Sequence, residues 1–167
     1  MRRSGFLILA AITACSASEP PITTRGHAID ADTISIPVRL SGVDAFEYRQ
    51  QCERPDGTCW TCGRDAQNYT ARFLDNRTIN VTLQKGKTFD RSVGTVTADG
   101  QDLGLVLILA GYAVPIPRFL RSDPDRLDVY NRAFDRARGN RTGGFSGQWT
   151  NPEDWRHGAR LSCETRQ

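Results

Sequence analysis

Residues 29–47 read Ile29-Asp30-Ala31-Asp32-Thr33-Ile34-Ser35-Ile36-Pro37-Val38-Arg39-Leu40-Ser41-Gly42-Val43-Asp44-Ala45-Phe46-Glu47. Ile, Val, Thr and Leu dominate residues 33–40, and Pro37 interrupts them. That pattern predicts a tight hairpin with its turn at the proline. A hairpin folds back on itself, so Asp32 at its start and Asp44 beyond its end are expected to approach. Asp30 and Asp32 also suit a turn, where Asp bonds its own backbone. Two hard oxygen donors held together suit Ca²⁺ or Mg²⁺. Arg39 beside them suits a phosphate, whose oxygens its planar fork binds in pairs. The stretch therefore points to a phosphodiester next to a metal.

Outward from it, residues 47–60 carry Arg, Gln, Pro, Asp and Gly and read as a surface loop. Residues 63–74 have helical spacing, with Ala66, Tyr69, Phe73 and Leu74 on one stripe. Residues 78–83 alternate as a strand with Ile79, Val81 and Leu83 on its apolar face. Lys85-Gly86-Lys87 reads as a turn, residues 92–98 as a strand, and Asp99-Gly100 as a turn. Residues 102–110 predict a short buried helix that Asp102 caps at its start and Gly111 at its end. Pro115 and Pro117 impose an extended link. Ser122-Asp123-Pro124 opens a helix to about residue 138, with Leu127, Tyr130, Ala133, Phe134 and Ala137 on one face. The expected fold class is α+β: a small five-stranded OB-fold-like β-barrel with about three helices. Barrel curvature would carry Asp90 and Arg91 to the face that holds Asp32 and Asp44.

The series from Ile29 to Ile34, Val38 to Ala45, and Glu47 resembles the staphylococcal nuclease (thermonuclease) family. Asp90-Arg91, Asp102-Leu103-Gly104, Ala110-Gly111-Tyr112-Ala113 and Pro152-Glu153-Asp154-Trp155-Arg156 keep that family's order. The resemblance implies the same barrel, and metal ligands Asp32, Asp44 and the Ala45 carbonyl. It also implies a Ca²⁺-dependent hydrolysis of DNA and RNA with little sequence specificity, leaving 3′-phosphate ends. Arg39 would clamp the scissile phosphate, and Glu47 would act as general base or water positioner.

The second catalytic arginine departs from the family's pattern, Asp-Arg-Tyr-Gly-Arg. An ungapped alignment puts Gly94 at that position and implies a crippled enzyme. From Asp90 to Asp99-Gly100 the chain is about three residues shorter than the resemblance implies. Loops lose residues more readily than core strands. A deletion in the hairpin loop makes Arg91 the equivalent, placed to neutralise charge in the pentacoordinate transition state. Phe46 stands where the family has proline, and is expected to loosen the backbone and shift Glu47. Trp155 and Trp60 are expected to pack rather than stack on bases, and Tyr112 to be core or groove wall. The alternative to an enzyme is a catalytically inactive module that binds nucleic acid or an envelope protein.

Of the 167 residues, 38% are hydrophobic and 25% charged, as in ordinary globular proteins. The net charge is +3, and Arg2 and Arg3 supply two of those charges. Bulk charge thus gives no argument for nucleic acid, and phosphate affinity must come from local arginines. Met1-Arg2-Arg3 and the apolar run 6–14 form an export leader too short for a membrane anchor. Ile12-Thr13-Ala14-Cys15 fits a lipobox. The expected organisation is a signal peptide over 1–15, a tether over 16–25 and one domain over 26–167. The protein would be periplasmic or an outer-membrane lipoprotein anchored through Cys15, or else secreted after ordinary cleavage, and a monomer. Cys52, Cys59, Cys62 and Cys163 allow three pairings. Cys52 with Cys62 and Cys59 with Cys163 are favoured. A zinc site on Cys59-Trp60-Thr61-Cys62 is the alternative, but a second such pair is lacking.

Overall fold

A computed structural model of the chain describes residues 27–28, 31–32, 34–88 and 91–165. The expected leader and tether, and Asp30 and Asp90, lie outside the described residues. The strands in chain order are β1 (His27–Ala28), β2 (Ile34–Ser35), β3 (Val38–Leu40), β4 (Val43–Ala45), β5 (Cys52–Glu53) and β6 (Cys59–Trp60). Helix α1 (Cys62–Leu74) follows, then β7 (Ile79–Thr88), β8 (Arg91–Ala98) and β9 (Gln101–Asp102). The chain continues with α2 (Leu103–Leu109), β10 (Ala113–Pro115), α3 (Pro124–Gly139) and α4 (Pro152–Arg156). This is the expected α+β class, with α4 added to the three expected helices. Among the described residues no helix is long and apolar enough to cross a membrane.

The hairpin at Pro37 does not form. β2 pairs antiparallel with β1, while β3 runs parallel to β8 with Val38 opposite Ser92 and Arg39 opposite Val93. Proline has no N–H to give a ladder, so Pro37 ends one pairing and lets the chain cross to another sheet. The reversal falls after it instead, at Ser41 and Gly42, where the chain turns into β4. β4 pairs with β10, setting Asp44 opposite Val114. β8 is the centre of the larger sheet, between β3 and β7, with β9 folding back on its end. Further backbone bonds tie the β3–β4 segment into this assembly, Ser41 N–H to the Gly94 carbonyl and Ile116 N–H to the Gly42 carbonyl, both at 2.8 Å.

Two other expectations change. β7 runs on to Thr88 through a bulge between Leu83 and Lys87, so Lys85-Gly86-Lys87 is not the turn. Thr88 pairs with Arg91, and only two residues connect the strands. Ile79 and Val81 are 40% and 46% exposed, because β7 is the sheet's edge and β8 supplies the buried face through Val96 and Ala98. The supposed loop 47–60 contains the β5–β6 hairpin. Disulfides join Cys52 to Cys62 and Cys59 to Cys163, the favoured pairing. The second closes a span of 104 residues and ties the C-terminal segment to β6, just before α1. Such long closures remove much unfolded-chain entropy.

The main core gathers Val43, Phe73, Val96, Leu107, Ile108 and Leu120 between β8, α2 and α3. Tyr130 is buried within it, and its hydroxyl donates to Asp102 Oδ2 at 2.9 Å. Arg126 Nη2 donates to that hydroxyl and Arg126 Nη1 to Thr95 Oγ1, at 2.5 and 2.7 Å. Asp102 also caps α2, accepting from the Gly104 N–H at 2.8 Å. One carboxylate therefore joins α2, α3 and, through Arg126, β8.

The second core holds Phe46, Ala66, Val114, Ala137 and Phe145 with the Cys52–Cys62 bridge. Phe46 does not loosen its turn. Its ring stands edge-on to Phe145 at 5.9 Å, and its N–H donates to the Tyr112 carbonyl at 3.0 Å. A proline there could make neither contact. Trp149 joins the ring cluster, and Tyr112 packs on Tyr69 at 5.4 Å, as a wall residue should.

Burial, then the Asp102 carboxylate, push the Tyr130 phenol above its usual value of 10.0. A raised folded-state value stabilises the fold fully below the unfolded value, and that contribution is lost as pH climbs above it. Urea melts between pH 8 and 11 should show stability falling above about pH 10. Tyr130→Phe should flatten that fall, and an unchanged slope would refute the assignment. Phe46→Pro removes a buried ring and a paired donor, and is expected to cost about 3 kcal/mol or more in a urea melt.

Candidate active site

β4 and the turn after it present the acids. Asp44 lies mid-strand, and its side chain is only 7% exposed. Glu47 follows in a turn held from three sides. The Glu47 N–H donates to Gln50 Oε1 at 3.1 Å, and the Gln50 N–H donates back to the Glu47 carbonyl at 2.7 Å. Gln50 is fully buried and its amide donates to the Thr150 carbonyl at 2.6 Å. Gly63 at the start of α1 abuts the same turn, where a Cβ would fall on the Glu47 carbonyl oxygen. The Glu47 side chain stays about one-third exposed, at 37%. A rigid backbone carrying a water-facing carboxylate is what a proton acceptor needs.

Two arginines converge on Asp44. Arg39 Nη2 reaches Asp44 Oδ1 at 3.3 Å from β3. Arg156, at the end of α4, donates to Asp44 Oδ1 at 2.9 Å and Oδ2 at 2.6 Å. The same guanidinium donates to Glu47 Oε1 at 2.7 Å. Asp44 first, then Glu47, raise the Arg156 proton affinity, against the opposing effect of burial. Charge-assisted forks of this kind are among the stronger polar contacts in proteins. A buried carboxylate left without such partners costs about 3–5 kcal/mol, less where water reaches the pair.

The helix that delivers Arg156 is firmly seated. Asn151 caps it at the Glu153 N–H, 3.0 Å away, and Pro152 is buried. Arg118 forks onto both Glu153 oxygens at 3.1 Å. Trp155 packs half-buried, its indole N–H donating to Glu164 Oε1 at 3.0 Å with Arg160 stacked above the ring. Trp60 is likewise packed, beneath Arg54 and beside the Cys59–Cys163 bridge.

Of the residues singled out in the sequence, Arg39, Asp44 and Glu47 therefore share one site, and Ala45 borders it in β4, opposite Ala113. Asp32 is exposed in the bend between β1 and β2. Among the described residues no three His, Cys, Asp or Glu side chains form a metal-holding group. The donor chemistry of Asp44, Glu47 and the Ala45 carbonyl is nevertheless that of a hard cation site. A guanidinium already stands against the two carboxylates as a positive charge. Arg91 opens β8, two residues before Val93, the partner of Arg39. Gly94 has no room for a side chain, since a Cβ would lie 2.8 Å from the Thr82 carbonyl oxygen. Arg156 received no role from the sequence. It lies 112 residues from Asp44, and the signal the sequence did offer was its place in the Pro152-Glu153-Asp154-Trp155-Arg156 series that keeps the family's order.

No curated protein matches the chain. A family model described as Staphylococcal nuclease homologue matches residues 37–146. The match starts just before β3, ends after α3, and includes Arg39, Asp44, Glu47 and Arg91. With its α+β architecture and the acid and arginine cluster on β3 and β4, the chain belongs to the staphylococcal nuclease homologue family, whose domain is an OB-fold.

Proposed function

We propose that the protein is a calcium-dependent phosphodiesterase that cuts DNA and RNA with little sequence preference. Family membership gives the coarser statement, a nuclease-type protein. The observation that carries the finer one is the meeting of buried Asp44 with Arg39 directly and with Glu47 through the shared Arg156 guanidinium.

Arg39 lies in β3 beside Asp44 and would bind the phosphate through its fork, orienting phosphorus toward Glu47. Glu47 would accept a proton from the attacking water, its backbone fixed by Gln50 and its carboxylate, about one-third exposed, free once Arg156 releases it. The new bond joins water oxygen to phosphorus. The bond to the 5′ oxygen breaks, that oxygen takes a proton from solvent, and a 3′-phosphate remains. A divalent ion held by Asp44, the Ala45 carbonyl and Asp32 would supply charge neutralisation for the phosphoryl oxygens. Arg91 would bind the equatorial oxygens in the pentacoordinate state. The two-residue connection between Thr88 and Arg91 and the crowding at Gly94 both support that assignment.

The leader-like sequence of residues 1–15 and the two disulfides support the reading of an exported protein, since such bridges persist in oxidising compartments. Calcium there is abundant enough to fill a modest site. Lipidation at Cys15, a single domain over 26–167 and a monomeric state belong to the same proposal.

A binding module without turnover is the competing reading, favoured by the hold of Arg156 on both carboxylates. A digestion assay separates them. The disulfide-bonded chain should degrade single-stranded DNA with Ca²⁺ and stop on addition of EDTA. Asp44→Ala, Arg39→Ala and Arg91→Ala should each lower the rate by about 10² or more. Binding of oligonucleotides without cleavage would establish the module instead. Full activity in Arg91→Ala would remove that residue from the mechanism.

A further inference from the structure

Among the described residues the side chains seen to donate to Asp44 are arginines, and the shortest of these contacts come from Arg156, far along the chain. Arg156 spans both Asp44 oxygens and one Glu47 oxygen, within 2.6 to 2.9 Å. A divalent ion drawn to these acids and a guanidinium bound to them carry like charge. They cannot share the same oxygens without strong mutual repulsion.

We propose that Arg156 is a tethered competitor for the divalent cation: it neutralises Asp44 and Glu47 in the metal-free protein and must release them when the ion is bound. The inference rests on the calcium reading of the site. Three observations shape it. First, Asp44 is buried enough to need a counter-charge at all times, so a placeholder keeps the empty site folded. Second, α4 is pinned independently of Arg156 by the Arg118–Glu153 fork, the Asn151 cap, the Trp155–Glu164 bond and the Cys59–Cys163 bridge. Release therefore requires only a side-chain rotation, not melting of the helix. Third, the Arg156 side chain is 33% exposed, so it has solvent to swing into.

Competition of this kind weakens the apparent affinity by the fraction of time that the acids are released. Release about 1–10% of the time makes binding about 10- to 100-fold weaker than the bare site would allow. The site would then fill only where calcium is plentiful, and stay closed by its own guanidinium elsewhere.

Calorimetric titration of the disulfide-bonded chain with CaCl₂ tests this. Arg156→Gln should bind Ca²⁺ about tenfold more tightly or better than wild type, and Arg156→Lys should fall between. Metal-free Arg156→Gln should melt at lower temperature than wild type, and Ca²⁺ should raise its Tm by more than it raises that of wild type. A merely structural arginine would lower the melting temperature without enlarging the calcium increment. Equal or weaker calcium binding in folded Arg156→Gln overturns the proposal. If Arg156→Gln does not fold, NMR of the wild-type Arg156 Nε–H decides. Its resonance, assigned by its loss in Arg156→Lys, should shift on calcium addition, and an unmoved resonance in calcium-bound protein overturns the proposal. Asp44→Asn, which should lose binding in either background, confirms where the ion sits. If folded wild type and Arg156→Gln both ignore calcium, the calcium reading itself fails. If both bind it equally, only the competition fails.

Discussion

The structure turns on a carboxylate that has been taken out of water. Asp44 sits mid-strand in β4, between Val43 in the main core and Phe46 in the second. A buried charge is tolerated only with partners. Arg39 arrives from the preceding strand and Arg156 from the last helix, so both ends of the described chain are committed to one site. The Ser41–Gly42 reversal, the rigid Glu47 turn and the seating of α4 all serve to bring those groups to Asp44.

This explains why the elements around the site are over-determined. The Glu47 turn carries three backbone constraints, and α4 carries a cap, an ion-pair fork and a disulfide close behind it. A five-residue helix has little stability of its own. External anchors let so short an element present one side chain with fixed geometry. Phe46 shows the same logic. A proline would restrain that position through its ring, whereas here a phenylalanine does so by burial and a backbone hydrogen bond.

Much of the architecture was legible locally. Residues 63–74, 102–110 and 122–138 gave three helices whose observed bounds differ by a residue or two, because caps and apolar stripes are short-range signals. The strand pairings were less so. Pro37 was correctly seen as an interruption, but an interruption does not say which strand comes next, and β3 chose a parallel partner more than fifty residues away. Ile79 and Val81 have the alternation of a buried strand, yet β7 is an edge strand whose first half is exposed. Alternation records what a strand can bury, not whether anything arrives to cover it.

The site divides the same way. Sequence alone determined the chemistry on offer: Arg39, Asp44 and Glu47 fall within nine residues, and their types at that spacing pointed to phosphate, cation and proton transfer. It also carried the family resemblance and a preference among three disulfide pairings, which the tertiary structure then decided. Only the tertiary structure decided who neutralises Asp44. Arg156 is one of many arginines in the chain, and the Pro152-to-Arg156 series that keeps the family's order assigns it no partner. Its meeting with Asp44 depends on where α3 ends, how α4 is capped and where Cys163 is tied, and long-range closure of that kind leaves no local trace.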